Sequence, residues 1–221
     1  MECIKPLRIA LTKGRLEEFS IDIFEKVGID TEELRNKGRR LVLCDKKNNI
    51  QFVLVKAVDV LTYVEHGAAD IGIVGKDTLL EEGRDFYEVM DLKVGKCKFA
   101  LASIPSFNVN EGYNRKKIAT KYPRVTRDYF RKLGMDVEII KIEGSVELAP
   151  ILGLSDAIVD IVETGTTLKE NGLIVFNEIC DISARMIVNR ASMKMRKDEI
   201  KTLIDNVQRV VNDSDKAAKK E

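Results

Sequence analysis

The sequence has little of what several common chemistries need. It holds a single histidine, His66, which excludes a multi-histidine metal site and a Ser-His-Asp triad built elsewhere in the chain. His66 precedes Gly67 at the expected end of a helix, where a C-terminal cap residue is the plain reading. The four cysteines, Cys3, Cys44, Cys97 and Cys180, are far apart and form no C-x-x-C pair. That argues against a zinc ribbon or a redox motif. Three of them, Cys44, Cys97 and Cys180, sit in or beside apolar runs and read as buried free thiols of a reducing cytoplasm. No apolar stretch is long enough to span a membrane, and residues 1–6 lack the apolar core of a signal peptide. There is no excess charge of either sign: 37 basic residues stand against 36 acidic, a net of +1. A general nucleic-acid binder would carry a basic surplus, so only a local basic pocket for a small anion remains open.

What is present is a real core. Hydrophobic residues make up 44% of 221, enough for one large domain or two modest ones. Apolar β-branched runs alternate with stretches of helical period, which predicts an α/β fold with mostly parallel sheets. Two candidate crossovers, Leu92–Gly95 and Asn177–Asp181, lie far apart in sequence. They predict a second lobe inserted into the first, with 1–93 plus 180–221 as one lobe and 94–179 as the other. Two lobes joined this way are expected to leave a cleft with a hinge.

The most informative stretch runs from Asp156 to Leu168. An apolar run carries spaced acids, Asp156, Asp160 and Glu163, and ends in Thr164-Gly165-Thr166-Thr167. It reads as a buried strand that delivers a loop to a helix start. Exposed N–H groups, hydroxyls and a glycine there suit a phosphate, and the acids suit sugar hydroxyls or a metal ion. A phosphorylated ribose would satisfy both halves; an ordinary N-capped helix start would satisfy the local pattern equally.

A second feature is Leu7–Leu11, a first strand, followed by Thr12-Lys13-Gly14-Arg15-Leu16 and a helix to Val27. Lys13 and Arg15 flank that strand-to-helix turn, at the edge where open α/β sheets bind ligands. Further along, Arg39-Arg40 leads into a strand, Lys56 stands at the end of the next, and Asp70–Gly75 is a buried strand. Gly75-Lys76-Asp77 lacks the spacing of a P-loop. A basic helix starting at Tyr122-Pro123 is expected to turn Val125, Tyr129, Phe130 and Leu133 inward. Ser145 is a possible cap for a helix over 146–152. A C-terminal amphipathic helix is expected from about Lys197 to Val211, with a frayed polar tail after it.

These motifs together carry a resemblance. Thr12–Leu16, Tyr63–Asp77, Gly144–Pro150 and Asp156–Leu173 follow in the order, and with the residues, of the ATP phosphoribosyltransferase family in its short form. The match covers about residues 8–190. The resemblance implies a two-lobed, type II periplasmic-binding-protein-like fold and a pentosyltransferase reaction. N1 of ATP attacks C1 of phosphoribosyl pyrophosphate (PRPP), giving N1-(5-phosphoribosyl)-ATP and pyrophosphate, with Mg²⁺ required, as the first step of histidine biosynthesis. It implies that Glu163, Thr164, Gly165, Thr166 and Thr167 wrap the 5-phosphate and that Asp160 serves the ribose hydroxyls. Lys13, Arg15 and one of Arg39 or Arg40 would surround pyrophosphate and triphosphate, Lys56 would assist, and Asp70 and Gly72 would lie near the nucleotide. The ligands of the metal are not assigned. Lys56 and Leu61 depart from the family, which usually has Arg and Pro there; lysine keeps the charge and loses the bidentate fork. The chain has no room for the histidine-sensing domain of long-form relatives. The resemblance therefore implies a partner, a histidyl-tRNA-synthetase-like regulatory subunit, with homodimers of this chain inside a hetero-octamer in the cytoplasm. A solute-binding module and a nucleotide-sensing regulator are the rival readings of the same fold.

Overall fold

The computed structural model describes residues 5–108 and 114–218. Cys3, the central part of the loop expected at 105–115 and the final residues lie outside them. In chain order the elements are β1 (Leu7–Thr12), α1 (Arg15–Val27), α2 (Glu32–Arg35), β2 (Val42–Asp45), β3 (Ile50–Val55), α3 (Ala57–Glu65), β4 (Ile71–Gly75), α4 (Lys76–Glu82) and β5 (Tyr87–Asp91). There follow β6 (Cys97–Ser103), β7 (Lys116–Thr120), α5 (Pro123–Lys132), β8 (Val137–Lys141), α6 (Leu148–Ile151), β9 (Ala157–Val162) and α7 (Thr166–Glu170). The last are β10 (Ile174–Ile182), β11 (Ala184–Val188), α8 (Arg190–Met195) and α9 (Lys197–Ala218).

The chain divides into two compact units. The first comprises Met1–Leu79, Arg84–Gly95 and Ser183–Glu221; the second comprises Leu80–Gly83 and Lys96–Ile182. The first is built on a six-stranded sheet of order β2-β3-β1-β4-β11-β5. Strands β3, β1 and β4 run parallel; β2, β11 and β5 are joined antiparallel. The second has a five-stranded sheet of order β10-β6-β9-β7-β8, parallel through β9-β7-β8 and antiparallel at β6 and β10. Both sheets are thus mixed rather than mostly parallel. The hairpin β2–β3 and the returning strand β11 add antiparallel partners to a parallel centre.

The periodicity of α1 explains its seat. Ile21, Ile23 and Phe24 share one buried cluster with Ile9 and Leu11 of β1 and with Ile200, Leu203, Val207 and Val211 of α9. A separate cluster joins Ala10, Val60, Leu61, Val64, Val74 and Ile187. Ala10 points away from Ile9 and Leu11 because successive strand residues face opposite sides of the sheet, so the two clusters lie on its two faces. The second unit repeats the plan, with Phe99, Leu101, Ile118, Val125, Phe130 and Val159 in one cluster and Ala102, Ala119, Val146, Ile158, Leu168 and Leu173 in another.

Several local expectations change. Strand β10 runs unbroken as far as Ile182, so Asn177–Asp181 is strand and not a connection; its polar residues fit because β10 is an edge, with two register shifts. The helix expected near 146–152 is the single turn α6, capped at Glu147 without a side-chain hydrogen bond, so Ser145 does not cap it. Helix α9 continues to Ala218, well past Val211. Leu133 follows the end of α5 and is exposed, as is Cys44; Cys97 and Cys180 are half-buried. Helix α8 has no counterpart in the sequence reading. Its start is fixed by Asn189, whose side chain accepts from the N–H groups of Ala191 and Ser192. His66 stands at the C-cap of α3.

Candidate substrate-binding sites in the two units

In the first unit the carboxyl ends of β1, β3 and β4 share one edge, because the three strands are parallel. Lys13 leaves β1 there. Its N–H donates to the Val55 carbonyl at the end of β3 (3.0 Å), which ties the turn to the sheet. Gly14 then takes φ +96°, a conformation open to glycine and strained for other residues. Helix α1 begins at the next residue, so the chain reverses within one turn.

Lys13, Gly14, Glu17, Lys37, Arg39 and Arg40 line one cavity of about 830 Å³ in this unit. The structure therefore joins three of the five cations expected to act together. Arg39 and Arg40 differ in their commitments. The Arg40 guanidinium donates to the carbonyls of Lys37 (3.3 Å) and Asn36 (3.2 Å) and pairs with Glu33 (3.4 Å). Arg39 is exposed and has no such partner among the described residues. Arg15 does not line the cavity; its guanidinium lies 5.9 Å from the centre of the Phe19 ring. Lys56 is exposed at the N-cap of α3 and also stands outside it.

Asp70 and Gly72 fall elsewhere. Asp70 precedes β4, at the amino end of the parallel strands, opposite the edge that holds Lys13. Its carboxylate accepts from the Arg8 N–H (2.8 Å) and the Ser192 hydroxyl (2.6 Å), and pairs with Arg196 (3.2 Å). Gly72 is buried inside β4. A Cβ there would meet Val60 at 2.7 Å, Val64 at 2.8 Å and Ile187 at 3.1 Å. The absence of a side chain lets α3 and β11 close on the strand.

In the second unit the carboxyl ends of β7, β8 and β9 form the equivalent edge. Strand β9 ends at Val162, and Glu163, Thr164 and Gly165 follow. Gly165 takes φ +75° and caps α7. The hydroxyls of Thr164 and Thr166 are hydrogen-bonded at 2.9 Å, and the Thr166 N–H donates to the Thr164 hydroxyl (3.4 Å). Glu163, Thr164, Thr166 and Thr167 are exposed.

Asp160 lies earlier on β9 and is half-buried. Burial raises its carboxyl from 3.8 to about 6, and the negative charge of Glu147 adds to this; the Ile161 N–H and the positive charge of Lys121 pull the other way. Lys121 follows β7 and Glu147 caps α6, so three elements bring charge to one edge of this sheet. Sequence reasoning does not single out Lys37, Lys121 or Glu147. Glu147 stands inside the Gly144–Pro150 motif, which offers a signal; Lys37 and Lys121 are single lysines in a chain rich in them.

Among the described residues no group of three or more His, Cys, Asp or Glu side chains is placed to hold a metal ion. Asp160, Glu147 and Glu163 are the acids near the carboxyl end of β9 and do not form such a group, which fits an ion carried mainly by phosphate oxygens and water.

The comparisons agree on one family. A family model described as ATP phosphoribosyltransferase matches residues 56–209. The ATP phosphoribosyltransferase of Clostridium acetobutylicum is 73% identical over 211 residues, 96% of this chain and 98% of that one. That of Clostridium kluyveri is 65% identical over 219 residues, 99% of this chain and all of the other. Among solved structures, the ATP phosphoribosyl transferase (HisG:HisZ) complex from Thermotoga maritima gives a TM-score of 0.79 at 38% identity, over 93% of this chain and 98% of that one. The periplasmic aliphatic sulphonate binding protein SsuA of Escherichia coli gives 0.59 at 12% identity, over 98% and 76%. The last likeness concerns the fold alone, which is of the type II periplasmic-binding-protein kind.

Proposed function

The chain belongs to the ATP phosphoribosyltransferase family, and on that premise we propose how its residues share the reaction. The enzyme transfers the 5-phosphoribosyl group of PRPP to N1 of ATP, with pyrophosphate as the second product, in the first step of histidine biosynthesis. The observation that carries our assignment is the cavity holding Lys13, Lys37, Arg39 and Arg40. With Arg35, five cations line it against three acids, Glu17, Glu18 and Asp22, and a wall with that surplus suits a polyphosphate. Lys13 and Arg39 are the ligand-facing pair, and Arg40 fixes the segment that carries Arg39. Arg15 and Lys56 lie outside the cavity wall and act as outer charges that draw the anion in.

In the second unit Glu163 to Thr167 wrap the 5-phosphate. Gly165 lets the backbone approach closely, and the two threonine hydroxyls, bonded to each other in the free protein, turn toward phosphate oxygens. Asp160 accepts from the ribose hydroxyls in its ionised form. Asp70 and Gly72 shape the first unit and do not touch nucleotide.

No strong base is needed, because N1 carries a free lone pair and pyrophosphate is a good leaving group. The residues work by holding both substrates in line and by neutralising charge on the departing pyrophosphate. Mg²⁺ would supply further charge neutralisation, and Asp160 and Glu147 are the acids that would meet it.

A histidyl-tRNA-synthetase-like regulatory subunit is the proposed partner, since the similar Thermotoga maritima structure is a complex of HisG with HisZ. Homodimers of this chain would sit with it in a hetero-octamer in the cytoplasm. No helix among the described residues is long and apolar enough to cross a membrane. The test is formation of phosphoribosyl-ATP from ATP, PRPP and Mg²⁺, with and without that subunit. Product that rises on adding the subunit, and histidine inhibition seen only with it, would support the assignment. No product in its presence would refute it.

A further inference from the structure

We infer that Glu17 is a positioning residue that sets the polyphosphate-binding cations, an inference that rests on the reading of the cavity above. Glu17 belongs to the first turn of α1 and lines the cavity, yet its side chain is only 3% exposed. Two segments hold its carboxylate. From one side the Gly14 N–H donates to it (3.4 Å), within the turn that carries Lys13. From the other, the Lys37 ammonium forms an ion pair with it. The carbonyl of Lys37 then accepts from the Arg40 N–H (3.0 Å) and from its guanidinium (3.3 Å). A continuous path of hydrogen bonds thus runs from Gly14 through Glu17 and Lys37 to Arg40, with Arg39 held inside it.

A buried carboxylate with one partner removed is strongly unfavourable, so the two segments are coupled rather than merely adjacent. The chemistry explains why an acid should lie beneath an anion site. Lys13, Lys37, Arg39 and Arg40 repel one another before substrate arrives, and the buried Glu17 offsets that repulsion from within the wall. Glu18 and Asp22 also line the cavity. Both are exposed, and Asp22 pairs with Arg35 (2.9 Å), so neither replaces Glu17 in the path.

The experiment compares KM for PRPP and for ATP, kcat and melting temperature in E17Q, K37M, the double variant E17Q/K37M and R39A, each in the full chain with its regulatory subunit. E17Q keeps the shape and one acceptor, so the fold is expected to survive. E17Q and K37M should each raise KM for at least one substrate by roughly threefold to tenfold, less than the roughly tenfold to hundredfold of a charged hydrogen bond lost to the substrate itself, because both act through the cations. The double variant should be no worse than the poorer single one, because both act through one pair. R39A should raise the same KM. Wild-type KM values in E17Q and K37M with an impaired R39A would overturn the inference, and so would a fall in melting temperature with no change in KM. An unimpaired R39A would instead overturn the reading of the cavity itself.

Discussion

Replacing Asp160 with Asn should make the protein more stable and less active at the same time. The carboxyl is raised from 3.8 to about 6 chiefly by burial. Keeping it ionised at pH 7 therefore costs the folded state on the order of 2–3 kcal/mol. The sign follows from protons bound. The native state holds the proton more tightly than the unfolded chain, so this site's contribution to stability is most favourable below 3.8 and declines as pH rises through 6. Asp160→Asn removes the penalty, and its gain should be largest above pH 6 and vanish toward pH 4. For a chain of this size each kcal/mol moves the melting temperature by about 2–4 °C, so a rise of several degrees at pH 7 is expected. Activity should move the opposite way. Losing an ionised acceptor for a hydroxyl costs about 1.5–3 kcal/mol, or roughly tenfold to a hundredfold in kcat/KM for PRPP. Melting curves at pH 4 and pH 7, beside kinetics with each substrate varied in turn, measure both. A variant that melts lower at pH 7 and keeps its KM for PRPP would refute the reasoning.

Other expectations separate binding from architecture. Arg39→Ala should raise KM with little change in melting temperature, whereas Arg40→Ala should loosen the segment before β2 and lower both stability and activity; melting curves beside kinetics distinguish them. Gly72→Ala must place a Cβ 2.7 Å from Val60, so it should destabilise by about 1–3 kcal/mol and leave KM for ATP unchanged in the folded fraction. A selective rise in that KM would restore Gly72 to the nucleotide site. PRPP binding at pH 6 should release about half a proton, since Asp160 must ionise to accept from the sugar. Calorimetry in buffers of different ionisation enthalpy reads this directly, and no buffer dependence would count against the role of Asp160.

The sequence is most legible where one local pattern decides structure. Strand β1, the glycine turn and α1 can be read because the strand, the turn residue and the helical period lie next to one another. The loop after β9 can be read for the same reason. Asp70 cannot. An acidic residue before an apolar run looks the same whether it meets a ligand or a structural partner, and its partners Ser192 and Arg196 lie more than a hundred residues onward. The Glu17 ion pair is hidden likewise, because Lys37 is one basic residue among many and only the packed segment brings it to α1. The mixed sheets escape because alternation of strands and helices sets neighbours, not direction; β11 and β10 are antiparallel through long-range returns. Helix α8 escapes because its cap, Asn189, directly follows β11 and reads as the end of that strand.

The two units distribute charge in opposite ways, and this bears on which substrate each recognises. The cavity of the first unit is cationic and exposed, so it loses little by waiting empty in water. Its ion pairs are mostly solvated and individually weak. The second unit keeps a half-buried acid, Asp160, whose ionisation is disfavoured and would be eased by hydroxyl donors or a cation. On the proposed assignment, binding a sugar whose hydroxyls reach Asp160 would relieve that cost. The substrate whose sugar reaches Asp160 would therefore gain affinity from the site's own strain, which would tie recognition of a ribose 5-phosphate to the second unit. Both substrates carry a 5-phosphorylated ribose with vicinal hydroxyls, so an acid beside a phosphate loop suits that sugar in either, and what tells PRPP from ATP there must be the group on C1, a pyrophosphate in one and an adenine in the other.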